Sequence, residues 1–230
     1  MSEPTTPEPN APKLSIPIYA ELSRVGKVLA NPLRLRLLDL LDGRELTVEQ
    51  LSQDSGIPFK NTSAQLQQLR SAHLVSSRKD GTSVLYRLTD DDVARFLGVF
   101  QEFAERRLAD LRSVIDDQLG DLSALEPVTV DELTTRVDAG ALVIDVRTSD
   151  DYTMGHVPGA VSLPYEQLLN RLDELPDDTE IIAYCHGPFC VTSAESVRLL
   201  RAHDRHARHL VGGFTRWHRT GHPVNTETDP

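Results

Sequence analysis

The hydrophobic pattern of this 230-residue chain changes its period once, and that change constrains the fold more than any other feature. Up to residue 119, apolar residues recur at helical spacing, interrupted by one pair of short strand-like runs. From residue 128 onward, short strand-like runs alternate with helical ones. Because the chain exceeds the usual size of a single domain, the sequence predicts two domains, at 18–119 and 128–225, joined by a linker at 120–127.

The two ends of the chain are expected to lie outside these domains. Four prolines fall within the first twelve residues, which lack the basic start and the apolar core of a secretory signal. Residues 1–17 are therefore predicted to be a disordered tail, and residues 226–230 a second, shorter one. No apolar run approaches the roughly 18 residues that span a bilayer, so we expect a cytoplasmic protein with no membrane partner.

The first domain begins with helices whose ends carry clear signals. Asn31 and Pro32 suit the N-cap and the first residue of a second helix, and Thr47 suits the N-cap of a short third helix at 48–53. A fourth helix is predicted at 61–72, with a polar, short-chained outer face. A break therefore separates each helix from the next.

A hairpin and a long helix complete the first domain. Strands at 75–78 and 84–88 flank residues 79–82, where Asp80-Gly81 supplies the positive backbone dihedrals of a tight turn. A helix at 93–119 carries an apolar stripe and is longer than so small a domain requires. Part of that stripe is expected to contact another subunit.

Helix, turn, helix and hairpin is the arrangement in which a recognition helix enters the major groove and a wing touches the flanking backbone. Charge permits this, because residues 18–90 hold ten basic and eight acidic side chains, whereas residues 91–230 hold 13 and 25. A helical protein-interaction domain with a merely solvated polar face is the alternative. The candidate DNA contacts are Lys60, Asn61, Ser63, Gln65, Gln68, Arg70, Arg78, Lys79 and Arg87.

Three segments of this domain resemble the ArsR/SmtB family of bacterial winged-helix repressors. They are VLANPLRLRLL at 28–38, SAQLQQLRSAHLV at 63–75 and KDGTSVLYRL at 79–88. The resemblance covers nearly all of 18–119. It implies a homodimer, joined through its first and last helices, that binds an inverted-repeat operator in double-stranded DNA and releases it when an inducer arrives.

The sensing residues of that family are missing here. Its metal-sensing members place Cys-x-Cys on the third helix or Asp and His ligands on the last one, whereas this chain has ELTVEQL at 45–51 and no His or Cys in 93–119. The dithiol that persulfide-sensing relatives carry in the helical domain is absent too. We therefore expect no metal and no cofactor, and a signal that enters through the second domain.

The second domain has the alternating strand and helix pattern of an α/β fold with a parallel sheet. Its predicted elements lie at 130–137, 141–146, 165–172, 180–184, 191–202 and 209–211. The His-rich run at 203–209 is interpreted as a solvated helix end and turn, because no cysteine or carboxylate pair completes a metal shell.

Both cysteines of the chain lie in one loop, AYCHGPFCV at 183–191. Cys185 follows an apolar strand, and ligands bind open α/β sheets at the carboxyl ends of their strands. A helix starts near Cys190, so backbone N–H groups and the helix dipole favour a thiolate in this loop. A thiolate is the nucleophile of sulfur transfer; the alternative is a pair of small buried hydrophobes in a turn.

Residues 125–225 resemble a rhodanese domain, the sulfurtransferase fold. The matching motifs follow in order as VIDVR at 143–147, GHVPGA at 155–160, the loop cysteine, and GGFTRW at 212–217. The resemblance makes Cys185 the cysteine that accepts a sulfane sulfur. It also implies that loop amides cradle the anion, at His186, Gly187, Pro188, Phe189, Cys190 and Val191.

Three further residues acquire roles from the same resemblance. Asp145 and Arg147 would organise the surroundings of the loop and belong to the catalytic set with Cys185 and Cys190. A structural salt bridge or capping role for Asp145 and Arg147 is the alternative. His156 is expected to brace the fold.

The loop departs from the commonest rhodanese pattern. His186 and Cys190 stand where a basic residue and an Arg or Thr are usual, so an anionic donor such as thiosulfate meets less fixed positive charge. Cys190 can instead act as a resolving thiol that attacks a persulfide on Cys185. That bridge requires Cα atoms within about 7 Å of each other. The departure favours sensing over steady turnover.

Together these patterns predict an α+β winged helix-turn-helix domain followed by an α/β rhodanese-like domain with a central parallel sheet. The predicted function is a DNA-binding transcriptional regulator, a repressor, that senses reactive sulfur or another thiol-modifying species through Cys185. One alternative is a rhodanese-type sulfurtransferase in which the winged helix serves localisation or dimerisation. Another is a constitutive DNA-binding protein whose degenerate rhodanese module only contacts partners.

Overall fold

The computed structural model describes residues 16–227, and the first domain within them is a winged helix-turn-helix. The predicted tail at 1–17 lies outside the described residues except for its last two positions, which begin the first helix. The elements are α1 Ile16–Leu29, α2 Pro32–Leu40, β1 Leu46–Thr47, α3 Val48–Ser55, α4 Phe59–Ser71, β2 Val75–Asp80, β3 Ser83–Leu88, α5 Asp91–Arg107 and α6 Ala109–Leu119.

α2 and α3 begin at their predicted caps, whereas α3 ends two residues later than predicted and α4 begins two residues earlier. The Asn31 side chain accepts a hydrogen bond from the Arg34 N–H at 3.1 Å, which caps α2. Thr47 and Gln50 form a reciprocal capping box at the start of α3. Gly56 ends α3 in the left-handed conformation that glycine adopts without steric cost. Local chemistry therefore determines these boundaries.

The wing is longer than predicted, and its turn is shifted. β3 pairs antiparallel with both β2 and β1. Asp80 pairs with Ser83, so Asp80 stays in the strand and Gly81-Thr82 forms the turn. Gly81 alone among the turn residues has a positive φ, of 59°. The prediction of positive dihedrals at both Asp80 and Gly81 was therefore wrong for Asp80.

The prediction of a single helix at 93–119 was also wrong, because the helix is interrupted at Leu108. Leu108 takes an extended backbone, with φ −106° and ψ 99°, and it separates α5 from α6. Its own N–H still donates to the Ala104 carbonyl at 2.8 Å. No proline or glycine marks this position. The helical spacing of the apolar residues continues across it, so the sequence pattern predicts one helix.

The second domain has a parallel four-stranded sheet in the order β5-β4-β6-β7. All four residues of the central strand β6 are wholly buried, as expected for a parallel strand covered on both faces. The elements are α7 Val130–Asp138, β4 Leu142–Asp145, α8 Ser149–Met154, β5 Val161–Ser162, α9 Tyr165–Leu168, β6 Ile181–Tyr184, α10 Val191–Ala202, β7 Ala207–His209 and α11 Gly213–Arg219.

Several elements of this domain differ from the prediction. α8 and β5 were not predicted, and β7 begins two residues before the predicted strand at 209–211. The helix predicted at 165–172 is α9 followed by a 3₁₀ helix, Leu169–Glu174. Short elements carry too few residues for a period to be detected.

The segments predicted as linker and C-terminal tail contact the second domain. Leu125 belongs to a 3₁₀ helix, Ser123–Leu125, and lies in the hydrophobic core beside the sheet. The Glu227 N–H donates to the Thr153 carbonyl at 3.1 Å. Residues 228–230 of the predicted tail lie outside the described residues. The connection at 120–127 is therefore anchored at its far end.

Candidate functional site

The two cysteines meet in the loop between β6 and α10. A disulfide joins Cys185 to Cys190, with their Cα atoms 6.4 Å apart. Cys185 directly follows β6, and Cys190 is the N-cap of α10. When the bridge is reduced, both sulfurs lie at the N-terminus of a 12-residue helix, whose N–H groups and dipole favour a thiolate. The spacing meets the geometric requirement for a resolving thiol.

The rest of the loop is tightly held. The Cys190 N–H donates to the Gly187 carbonyl at 3.2 Å, which closes a turn over Pro188 and Phe189. A Cβ atom on Gly187 would lie 3.1 Å from Thr215 Oγ1, so the loop runs close to its support. The amides of Gly187, Phe189 and Val191 remain candidates for an anion cradle. Pro188 contributes stiffness and no N–H.

His186 does not face the sulfur site, in contrast to its expected place in the anion-binding loop. Its Nε2–H donates to the carbonyl oxygen of Asp39 in α2 at 2.8 Å. Its Nδ1 is excluded from solvent and has no hydrogen-bond partner among residues 16–227. Burial lowers the pKa of His186, which favours a neutral ring. The side chain of His186 therefore contacts the first domain and supplies no cation to the loop.

Asp145 and Arg147 bind each other behind the loop. Arg147 Nη2 lies 2.6 Å from Asp145 Oδ2 and also 2.6 Å from the Gly155 carbonyl. The guanidinium carbon of Arg147 lies 4.2 Å from the centroid of the Phe214 ring. This geometry supports the organising role, because Arg147 contacts Phe214 of α11 and the first N–H groups of α11 hold the cysteine loop.

α11 supports the cysteine loop through its first N–H groups. Phe214 N–H donates to the Cys185 carbonyl at 2.9 Å, and Thr215 N–H donates to the His186 carbonyl at 2.8 Å. Gly213 has a positive φ of 57°, and a Cβ atom there would lie 2.5 Å from the Cys185 oxygen. A glycine is therefore required where α11 meets the loop.

His156, in the GHVPGA turn, makes contacts that fit its expected role in bracing the fold. His156 Nδ1 lies 2.9 Å from the Tyr152 carbonyl, and its ring stacks on the Tyr152 ring with centroids 3.8 Å apart. The main chain of His156 pairs with that of Asn225. His156 thus fastens the end of the domain to α8.

The candidate DNA contacts on α4 divide by exposure. Lys60, Gln68 and Arg70 are exposed, whereas Asn61, Ser63 and Gln65 are half-buried. Gln65 donates to Asn61 Oδ1 at 2.9 Å and accepts from Arg34 at 3.1 Å. To contact a base edge, Asn61 and Gln65 must therefore break these intramolecular hydrogen bonds and form new ones to the DNA. Arg34, whose contact has no signal in the sequence, belongs to the same hydrogen-bonded group.

Two of the three candidate contacts on the wing are paired within the protein. Glu45 lies 2.6 Å from Arg78 and 3.7 Å from Arg87. Both arginines are more than half exposed, so exchange of this carboxylate for a phosphate is sterically open. Lys79 is exposed near the tip of the wing. The wing thus carries cations where the fold predicts contact with the DNA backbone.

Large apolar side chains are exposed on the helices at both ends of the first domain. On α1 they are Ile16, Ile18, Tyr19, Leu22 and Val25, and on α5 and α6 they are Phe96, Val99, Phe103 and Val114. Large apolar side chains exposed together on a helix indicate an interaction surface. Its location agrees with the predicted role of the first and last helices.

No helix within residues 16–227 is long and apolar enough to cross a membrane. Over the same range, His, Cys, Asp and Glu side chains form no group of three that can hold a metal ion.

Comparison with known proteins places each half of the chain. Residues 31–77 match the model "Bacterial regulatory protein, arsR family", and residues 129–220 match "Rhodanese-like domain". HTH-type transcriptional regulator Rv0324 of Mycobacterium tuberculosis is 40% identical over 206 residues, which cover 89% of this chain and 90% of that protein.

Two further relatives match one half each. A sulfurtransferase of Allochromatium vinosum is 29% identical over 83 residues, which cover 36% of this chain and 77% of that protein. A homodimeric winged helix-turn-helix DNA-binding domain from Mycobacterium bovis, solved by NMR, is 36% identical with a TM-score of 0.40. The match covers 44% of this chain and 94% of that one.

Proposed function

This chain belongs to the ArsR-type HTH transcriptional regulators with a C-terminal rhodanese-like domain, and we propose that Cys185 senses sulfane sulfur and thereby controls operator binding. The rhodanese-like half then serves as the sensor and the winged helix as the output. The observation that carries this proposal is the position of Cys190, which is bonded to Cys185 within the same loop.

The chemistry of the proposed sensor balances with the two thiols and one sulfur donor. The Cys185 thiolate attacks the outer sulfur of a low-molecular-weight persulfide and releases the parent thiol. Cys190 then attacks Cys185 Sγ, forms the Cys185–Cys190 disulfide and expels hydrosulfide. The two cysteine thiols lose two electrons, and the sulfane sulfur gains them. The donor is therefore both the signal and the oxidant.

We further propose that the functional unit is a cytoplasmic homodimer on double-stranded operator DNA. The exposed apolar side chains of α1 and α5 support the dimer, because a second copy would bury them. Exposed Lys60, Gln68 and Arg70 on α4 support DNA contact. Repression in the absence of the sulfur signal, and release upon it, is the proposed sign of regulation.

Operator affinity measured with and without glutathione persulfide tests the sensor. Reduced wild-type protein should bind tightly, and treatment should weaken binding by about tenfold, a typical size for coupling between two sites. Cys185→Ser should bind as reduced wild type does and should show no change on treatment. An equal response in wild type and Cys185→Ser would rule out Cys185 as the sensor.

Steady sulfurtransferase turnover is the competing function. Two features of the loop oppose it: Cys190 is positioned to discharge a persulfide before an external acceptor arrives, and His186 is directed away from the sulfur site. Multiple turnovers with thiosulfate and cyanide, together with operator affinity that ignores the sulfur donor, would favour the enzyme instead.

A further inference from the structure

The cysteine loop contacts the DNA-binding domain directly. His186, next to Cys185, donates to the carbonyl of Asp39, in the last turn of α2. Carbonyls in the last turn of a helix have no partner within the helix; this one accepts from the Asp42 N–H at 3.3 Å as well as from His186. His186 and Asp39 are 147 positions apart in the chain. The His186 side chain thus links the cysteine loop to α2.

α11 makes a second connection between the loop and the first domain. Its N-terminal amides hold the carbonyls of Cys185 and His186, as described above. At the C-terminal end of the same helix, Arg219 forms an ion pair with Asp42 and donates to Gln101 Oε1 at 2.8 Å. Asp42 is wholly buried, so this ion pair lies in the interior of the domain interface.

The residues that receive these contacts belong to helices that matter for DNA binding. Asp39 lies in α2 and Asp42 two residues beyond its end, before the helix-turn-helix. Gln101 lies on α5, which also carries the exposed apolar side chains of the proposed dimer surface, and it donates to Asp39 Oδ1 at 3.1 Å. A displacement of α11 would therefore alter both the end of α2 and the face of α5.

Open space lies beside the cysteine loop. A cavity of about 250 Å³ lies between Pro188 and the α5 residues Gly98 and Glu102. When the disulfide forms, the bond requires the two cysteine Cα atoms to stay within the range that it can span. When it is reduced, that constraint is lost while the carbonyls of Cys185 and His186 remain bonded to α11. The two redox states thus impose different constraints on α11.

We propose that the sulfur state of the Cys185–Cys190 loop is transmitted to the DNA-binding domain through His186–Asp39 and through α11 by way of Arg219, rather than along the connecting segment 120–127. The mechanism requires that the two states of the loop favour different positions of α2 and α5. This inference rests on the proposed sensing function and assigns its route.

A second contact between the domains gives the alternative route. Arg198 on α10 donates to the carbonyl of Leu119, at the end of α6, at 2.6 Å. α10 begins at Cys190, so a signal could also pass along α10 to the connecting segment. Substitutions at Arg219 and at Arg198 therefore separate the two routes.

The test compares full-length variants in two measurements. Differential alkylation and mass spectrometry report sulfur chemistry at Cys185, and fluorescence anisotropy reports the ratio of operator Kd after and before treatment with glutathione persulfide. Arg219→Gln and His186→Phe should react at Cys185 as wild type does, yet their Kd ratio should fall from about ten to below about two. Arg198→Gln should keep the wild-type ratio, as should the control Arg205→Gln, whose partner Asp177 lies within the second domain.

The outcomes distinguish this route from the proposed function. A wild-type ratio of one would overturn sensing itself. A normal wild-type ratio that persists in Arg219→Gln and His186→Phe, or that is lost only in Arg198→Gln, would overturn the route and leave sensing intact.

Hydrogen–deuterium exchange of the wild-type protein tests the same route without any substitution, so misfolding of a variant cannot affect the result. Bridged and reduced protein should differ in amide protection at 37–44 and at 213–220. Identical exchange at 37–44 in the two states would contradict the proposed route.

Discussion

Arg147 and Asp145 form an ion pair that is almost wholly excluded from solvent, with Arg147 Nε 3.0 Å and 3.1 Å from the two carboxylate oxygens. Removing the arginine leaves a buried carboxylate without its charge partner. Arg147→Met is therefore expected to lower the free energy of unfolding by about 3–5 kcal/mol. Urea denaturation followed by circular dichroism measures the change.

The exposed pair of Arg171 and Glu174 is the matched control for that prediction. Water already solvates both groups, so Arg171→Met should cost far less stability than Arg147→Met. Equal losses in the two variants would contradict the assignment of Asp145 and Arg147 as a buried structural pair.

The sequence predicts those parts of the fold whose signals are local. α10 has the bounds predicted for it, 191–202, and Asn31 and Thr47 cap the helices that they were expected to cap. The spacing of Cys185 and Cys190 also raised the possibility of a bridge, and their Cα atoms lie 6.4 Å apart. Short-range chemistry determines each of these features.

The rest depends on contacts between distant residues. Arg219 and Asp42 are 177 positions apart, and no spacing pattern links them. The rhodanese resemblance implied a role for the His186 amide in an anion cradle, and nothing in the sequence indicated that its ring would donate to the Asp39 carbonyl of the first domain. Leu108 breaks a helix without a breaker residue in the sequence. Contacts between the two domains determine the first two of these features.

Two histidines are expected to give the stability a dependence on pH, in opposite directions. Burial and the charge of Arg198 lower the pKa of His209 to about 4. Between pH 6.5 and 4 the unfolded chain therefore takes up a proton that the folded chain refuses, and stability falls by about 3 kcal/mol. His218 has a raised pKa because it faces Asp42, so its contribution is present at low pH and is lost as pH rises through that pKa.

Unfolding at pH 7 and pH 4.5 tests the His209 contribution. His209→Gln should lose less stability than wild type over this interval, since glutamine does not titrate. NMR should show the His209 ring neutral at pH 5. A His209 ring that titrates near pH 6.5 would contradict the prediction.

Lys60 and Gln68 of α4 should affect operator binding differently. Lys60→Ala should weaken binding to all DNA sequences and reduce the slope of log K against log salt by about one, because a phosphate contact releases a counterion. Gln68→Ala should leave the salt slope unchanged and should cost about 1–3 kcal/mol for the operator alone. Anisotropy titrations at several salt concentrations, with operator and scrambled DNA, distinguish the two. A reduced salt slope in Gln68→Ala would contradict its role in reading bases.

The apolar side chains on α5 should hold the dimer together. Val99 and Phe103 are 65% and 52% exposed in the single chain, so a charge at either position would be buried without a partner in the dimer. Val99→Asp should yield monomers in light scattering and should lose operator affinity. Leu169→Asp, at an apolar residue 54% exposed in the second domain, should remain dimeric. Dimeric Val99→Asp would exclude this surface.

Cys190→Ser should trap the first intermediate of the proposed reaction. Without the resolving thiol, the Cys185 persulfide cannot discharge, so the variant should become heavier by one sulfur atom after glutathione persulfide treatment and should release no hydrosulfide. Wild type should instead lose two hydrogens and release one hydrosulfide per chain, because Cys190 lies within bonding reach of Cys185. Intact-mass spectrometry and a hydrosulfide assay follow both products, and Cys185→Ser, which lacks the acceptor, should gain no sulfur. If Cys190→Ser also failed to gain sulfur while reduced wild type still formed the bridge, the disulfide would arise by direct oxidation, and the persulfide step would be excluded.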